Sequence, residues 1–139
     1  MIIDGENLIL GRTASIVAKK LLNGEEIVII NGEKMIITGN EESIFKKFKH
    51  RRELRNVANP RKGPHYPKDP ERIIKRAVRG MLPYRKPKGK DALKRLRVYA
   101  GTPEEFKDKE ATKLKDAEFR KRSSKYTTIK RLSEFLGSG

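Results

Sequence analysis

The residues Gly11-Arg12-Thr13-Ala14-Ser15 have the types needed to hold a phosphate. A glycine and a hydroxyl at the start of a helix can present free backbone N–H groups to an anion, with Arg12 as the charged arm. The same five residues also read as a glycine permitting a tight turn and a serine facing solvent, and the types alone leave both readings open. As a nucleotide site the turn is incomplete, because neither G-x-G-x-x-G nor G-x-x-x-x-G-K-[ST] occurs in the chain. The two histidines, His50 and His65, are each embedded among basic residues, and there is no cysteine. That pattern offers no metal-ligand spacing. The pairs Glu25-Glu26, Glu41-Glu42 and Glu104-Glu105 fall at helix starts or turns. There they act as partners of the helix dipole rather than as an acid/base couple. The sequence therefore predicts no catalytic group, no metal site, no cofactor and no small-molecule substrate.

What remains is cationic chemistry. The net charge is +16, and it is distributed unevenly: residues 1–45 carry −3, residues 46–99 carry +16 and residues 100–139 carry +3. Such a concentration repels itself and is relieved by a polyanion. A thermophile's charge-rich surface is the competing explanation, but those surfaces mix both signs and this segment barely does. Nucleic acid is the favoured partner. Two helix faces present cations, one with Lys46, Lys47, Lys49, His50, Arg51, Arg52 and Arg55, the other with Arg72, Lys75, Arg76 and Arg79. Two loops rich in proline and glycine add Arg61, Lys62 and Lys68, and Arg85, Lys86, Lys88 and Lys90. These groups, with Arg12, can neutralise phosphates and release counterions. Tyr66 and Tyr84 lie inside the loops and can stack on unpaired bases, although each alone also fits a packing role. Stiff basic loops suit the irregular surface of a folded RNA. No recognition-helix motif or dimer signature points to DNA.

The elements that must position these groups follow from periodicity. Residues 1–4 read as a short strand turned by Asp4-Gly5. Leu10, Ala14, Val17, Ala18, Leu21 and Leu22 form one stripe of an amphipathic helix, stopped at Asn23-Gly24. Ile27-Val28-Ile29-Ile30 is a continuous β-branched run, as in a strand covered on both faces. Strand, helix, strand opens a parallel α/β sheet. Residues 35–38 form another strand, but residues 31–34 are too few for a helical crossover, which leaves its orientation open. A helix from Glu41 buries Ile44, Phe45 and Phe48. Asp69 as N-cap and Pro70 at the first position start a helix whose apolar stripe is Ile73, Ile74, Ala77, Val78 and Met81. Residues 87–90 read as a basic turn before a short helix at 91–95, and residues 96–100 as the last strand. A capping box at Thr102 predicts a surface helix with Phe106, Leu114 and Ala117 as its sparse apolar positions. A final helix over residues 128–136 packs through Ile129, Leu132 and Leu136.

A chain of 139 residues, 35% apolar and 37% charged, fits one domain with a modest core. There is neither a basic flank with an apolar run at the start nor an apolar stretch long enough for a membrane span. The expectation is a soluble, cytoplasmic protein without a membrane partner.

Several segments, in this order and spacing, resemble the ribosomal protein L-thirteen family across residues 1–101. They are Gly11-Arg12-Thr13-Ala14-Ser15 with Ala18 and Leu21-Leu22, then Ile29-Ile30-Asn31-Gly32-Glu33-Lys34 and Ile37-Thr38-Gly39-Asn40, then Ala77-Val78-Arg79-Gly80-Met81-Leu82-Pro83, and Arg95-Leu96-Arg97-Val98-Tyr99-Ala100-Gly101. The resemblance implies a three-layer α/β/α domain around a four-stranded, mainly parallel sheet, with basic loops. It implies a core over 1–101, including the basic segment 46–97, and a helical C-terminal extension of the same domain over 102–139. It also implies a structural protein of the large ribosomal subunit, bound to ribosomal RNA, adjoining other large-subunit proteins and placed early in assembly. RNA contacts carry over to Arg12, to the basic residues of 46–62, to Arg76 and Arg79, and to Lys86, Lys88 and Lys90. The chain lacks the amino-terminal extension of bacterial members. Its ending, Thr127-Thr128-Ile129 through Leu136-Gly137, is similar to the archaeal and eukaryotic type, and its loop at 59–70 departs from the bacterial pattern. Two other functions fit the residues less well: a small nucleotide-dependent enzyme using the turn at 11–15, and a regulator that binds messenger RNA.

Overall fold

The apolar run Ile27-Val28-Ile29-Ile30 becomes the middle strand of a parallel sheet in the computed structural model, which describes residues 1–53, 67–120 and 125–137. Strand β1 (Ile2–Asp4) and helix α1 (Leu10–Leu22) precede it as β2 (Ile27–Ile30). β1 lies on one side, with Ile3 opposite Ile29, and β4 (Leu96–Val98) on the other, with Ile29 opposite Val98. Ile27, Ile29 and Ile30 are buried and Val28 half-buried, as a strand flanked on both edges and covered on its faces requires. Ala14, Val17, Ala18 and Leu21 of α1 join Ile3 and Ile29 in one core cluster.

Among the described residues the parallel sheet has three strands. The short strand near residue 36, β3 (Ile36–Thr38), pairs instead with β5 (Tyr126–Thr128) as an antiparallel ribbon, with Ile36 opposite Thr128. The 3₁₀ turn Gly32–Lys34 between β2 and β3 cannot serve as a crossover helix. β3 therefore meets the extended residues before α1, where the Ile36 N–H donates to the Leu8 carbonyl at 2.8 Å, and turns its other edge to β5. Helix α2 (Glu41–Glu53) follows, then α3 (Pro70–Arg79) and α4 (Pro87–Lys94) ahead of β4.

Beyond β4 the expected surface helix reduces to four residues, α5 (Glu104–Lys107). The reason lies in the packing. Ala117 and Phe119 are both buried, and positions two apart cannot share one face of a helix. The chain instead runs along the open edge of β1. There the Asp4 N–H donates to the Thr112 carbonyl at 3.1 Å and the Thr112 N–H to the Ile2 carbonyl at 2.8 Å. Nor does a capping box form: Pro103 holds the N-cap position and the Thr102 hydroxyl donates to Asn31 Oδ1 at 3.0 Å. The C-terminal stretch is thus only partly helical. It ends in α6 (Ile129–Phe135), capped by Thr128, whose hydroxyl accepts from the Arg131 N–H at 3.3 Å, and anchored by the fully buried Ile129 and Leu132.

Asn31 ties the strand ends together. Its backbone is left-handed, with φ of +54°, a conformation that asparagine tolerates better than other side-chain-bearing residues. Its side-chain amide donates to Asp4 Oδ1 at 3.0 Å, at the end of β1, while its carbonyl oxygen accepts from Thr102 beyond β4. Asn31→Ala loses two hydrogen bonds and forces alanine into the left-handed region. The expected cost is about 3 kcal/mol in urea unfolding, with a smaller loss for Asn31→Gly, which relieves the backbone but not the side-chain bonds.

Candidate nucleic-acid interface

α3 separates apolar from cationic residues by helical period. Pro70 occupies its first turn behind Asp69 at the N-cap, and Ile73, Ile74 and Val78 are buried. Arg72, Lys75, Arg76 and Arg79 are exposed. The Asp69 carboxylate lies 3.7 Å from Arg72 Nε, a solvent-exposed pair of small energetic weight. The helix ends at Arg79 rather than continuing through Met81. Met81 is therefore 46% exposed instead of buried as its spacing predicts, and Leu82 takes the core position beyond the turn.

Residues 87–90, expected as a basic turn, form the first turn of α4. Pro87 at its first position favours this, with Lys88 and Lys90 exposed on it. Gly89 makes this arrangement possible. A Cβ there would overlap the Pro83 carbonyl and lie 2.8 Å from the Tyr84 nitrogen, so the helix abuts the backbone of the turn after α3.

Three cavities adjoin along this surface. The first, an open cleft of about 580 Å³, is lined by Arg76 and Arg79 from α3 and by Leu82, Pro83, Tyr84, Arg85 and Lys86 from the turn. The second, of about 380 Å³, is lined by Pro67, Arg72, Lys75, Arg76, Arg79, Tyr84 and Leu93. The third, of about 260 Å³, brings Leu10, Phe48 and Arg51 to Pro67, Ile73, Arg76 and Ala77. Arg76 lines all three. Tyr84 lines the first two, with the Arg79 guanidinium carbon 4.1 Å from its ring centroid, within cation–π range.

α2 carries the other cationic face. It buries no residue fully and is held by its half-buried stripe. Phe45 stacks on Phe135 of α6 at 4.5 Å, and Glu41 pairs with Arg131 at 2.9 Å. Arg51 lies over the Phe48 ring at 5.6 Å, while Lys46, Lys47, Lys49, His50 and Arg52 are exposed. Lys49 and Arg52 border a further cavity against Phe135 and Leu136. Lys68 is exposed, its carbonyl accepting from the Ser133 hydroxyl at 2.6 Å. Arg55, Arg61, Lys62 and Tyr66 lie outside the described residues.

Arg12 lines none of the three adjoining cavities. It borders a separate polar cavity of about 530 Å³ with Thr38, Lys115 and Arg120, and with the acidic Asp116 and Glu118. Lys115 and Arg120 escaped the sequence reading because residues 100–139 are nearly charge-balanced; only the fold brings them to Arg12. Within the Gly11–Ser15 stretch, Thr13 and Ala14 are buried and the Ser15 hydroxyl donates to the Arg12 carbonyl at 2.8 Å. Ser15 is thus engaged by its own helix. Among the described residues no group of three or more His, Cys, Asp or Glu could hold a metal ion, and no helix is long and apolar enough to cross a membrane.

The family model described as "Ribosomal protein L13" matches residues 1–105. A Methanocaldococcus jannaschii protein called "Large ribosomal subunit protein uL13" is 48% identical over 138 residues, covering 99% of this chain and 97% of the relative. Proteins of the same name from Methanosarcina barkeri and Archaeoglobus fulgidus are 48% and 45% identical. The first comparison covers 99% of this chain and 97% of the relative, the second 98% and 86%.

The close approach at Gly89 gives a direct test of how the cationic turn is held. Gly89→Ala must push α4 away from Pro83 and Tyr84, and it should cost about 2 kcal/mol or more in urea unfolding, although alanine is the better helix former.

Proposed function

The chain belongs to the ribosomal protein L-thirteen family, and on that premise we propose that it is a structural, non-catalytic constituent of the large ribosomal subunit in the cytoplasm. It binds large-subunit ribosomal RNA, adjoins neighbouring large-subunit proteins and supports the early folding of that RNA. The observation that carries the RNA-binding surface is the convergence of Arg51, Arg72, Lys75, Arg76, Arg79, Arg85 and Lys86 on three adjoining cavities that share Arg76. Phosphates entering such a surface meet several cations at once and release counterions. Lys46, Lys47, Lys49, His50 and Arg52 on α2, Lys88 and Lys90 on α4, and Lys68 and Tyr84 extend the same contact, and Arg55, Arg61, Lys62 and Tyr66 are counted with them on their residue types alone. Arg12 is a second point of contact on its separate cavity.

The domain is read as three layers around a four-stranded sheet. The parallel bridge between Ile3 and Thr112 on the open edge of β1 supports a fourth position there. Residues 1–101 form its core and 102–139 an extension of the same domain. The pairing of β5 with β3 and the burial of Ile129 and Leu132 support that union.

Two measurements test the reading. In sucrose gradients the protein should sediment with the large subunit at low and at high salt, followed by mass spectrometry; recovery solely in the free fraction would defeat the proposal. The double substitution Arg76→Gln, Arg79→Gln should weaken RNA binding at least about tenfold by removing two phosphate partners. Unfolding stability should change little, by about 0.5 kcal/mol, as both side chains are exposed. Unchanged affinity would remove α3 from the interface.

A further inference from the structure

We infer that the two cavities sharing Arg79 and Tyr84 in their lining receive unpaired nucleotides, so that this protein prefers looped or bulged RNA to continuous duplex. The inference rests on the RNA-binding reading above and deepens it by naming the RNA structure the site takes. Its basis is the combination of shape and lining. Tyr84 lines an open cleft of about 580 Å³ and a second of about 380 Å³, volumes in the range of about 300–1,000 Å³ seen for clefts that take organic ligands. The lining mixes two chemistries. Leu82 and Pro83 in the first cleft, and Pro67 and Leu93 in the second, give apolar surface, while arginines and lysines supply the charge. A site that only neutralised phosphates would need the cations and not the apolar surface.

An unpaired nucleotide has both matching parts: a flat base whose faces seek apolar or aromatic surface, and a phosphate that seeks a cation. Continuous A-form duplex keeps its bases stacked. It meets proteins through phosphates and 2′-hydroxyls across a shallow minor groove, so it can engage exposed cations such as Lys88 and Lys90 but cannot place a base in a cleft without unpairing it. The Arg79 guanidinium strengthens the assignment. Its central carbon lies 4.1 Å from the Tyr84 ring centroid, and guanidinium groups and aromatic rings are both surfaces on which bases stack.

The test uses the full chain and two RNA hairpins of the same stem, one fully paired and one with a single bulged 2-aminopurine nucleotide. The bulged hairpin should bind about tenfold more tightly, with its fluorescence quenched on binding. Tyr84→Leu, which keeps bulk without aromaticity, should remove that preference and the quenching by weakening the bulged hairpin about tenfold more than the paired one. Tyr84→Phe should restore both. Equal binding of the two hairpins by the unsubstituted protein, or a preference that survives Tyr84→Leu, overturns the inference and leaves RNA binding itself standing. An equal loss on both hairpins also overturns it, making Tyr84 a residue of the turn's packing. Binding of neither hairpin takes down the RNA reading and this inference together.

Discussion

Parallel strands end side by side, so their last backbone groups, and the loops that leave them, must be satisfied at one edge. Here that constraint is met around Asn31. Its own N–H donates to the Gly101 carbonyl at 3.0 Å, and the next residue, Gly32, donates to the Tyr99 carbonyl at 3.0 Å. The Asn31 side chain reaches Asp4 and Thr102. α3 is fastened to the same edge: the Ala100 N–H donates to Glu71 Oε1 at 3.2 Å, and a Cβ on Gly32 would come within 2.6 Å of the Ile74 side chain. Fixing Glu71 and Ile74 fixes which side of α3 faces the sheet. The orientation of Arg72, Lys75, Arg76 and Arg79 is therefore settled by the buried stripe Ile73, Ile74 and Val78, with the Glu71 hydrogen bond at the strand ends adding to it, rather than by the charges themselves.

Much of this was legible in the residues. The helices α1 and α3 follow from local period and β2 from its continuous apolar run, and most of their buried positions fall where the pattern puts them, Thr13 (buried) and Met81 (exposed) excepted. What was not legible depends on partners distant in sequence. Residues 126–128 carry no strand signal beyond Tyr-Thr-Thr, and they become β5 because β3 offers an edge. The stretch after α5 abandons its helix for the edge of β1 and the burial of Ala117 and Phe119. The antiparallel orientation of β3 likewise depends on that late partner.

The candidate site divides in the same way. Charge density pointed to α2, α3 and residues 85–90, and the fold gathers Arg51, Arg72, Lys75, Arg76, Arg79, Arg85 and Lys86 around shared cavities. The pairing of Arg79 with Tyr84 is invisible to helical period, since the helix stops between them at Gly80. Arg12 belongs by sequence to the same set, yet the fold assigns it different neighbours, Lys115 and Arg120, drawn from a segment whose charge is nearly balanced.

A surface this cationic gains little from its own packing. α2 buries no residue fully, and the exposed lysines and arginines of residues 46–99 raise electrostatic self-energy that the core elsewhere must offset. Two kinds of recognition then have different structural supports. Charge is carried by exposed side chains on helix faces, where the loss of one cation leaves the fold intact and salt screens the rest. Shape is carried by the turn between α3 and α4, where Leu82 is anchored in the core and Gly89 lets α4 close onto Pro83. Leu82, Pro83 and Tyr84 of that turn also line the larger of the two clefts. On the proposed reading, selection of an RNA's form would rest on this packed turn and affinity for its phosphates on exposed side chains, and substitutions should separate the two.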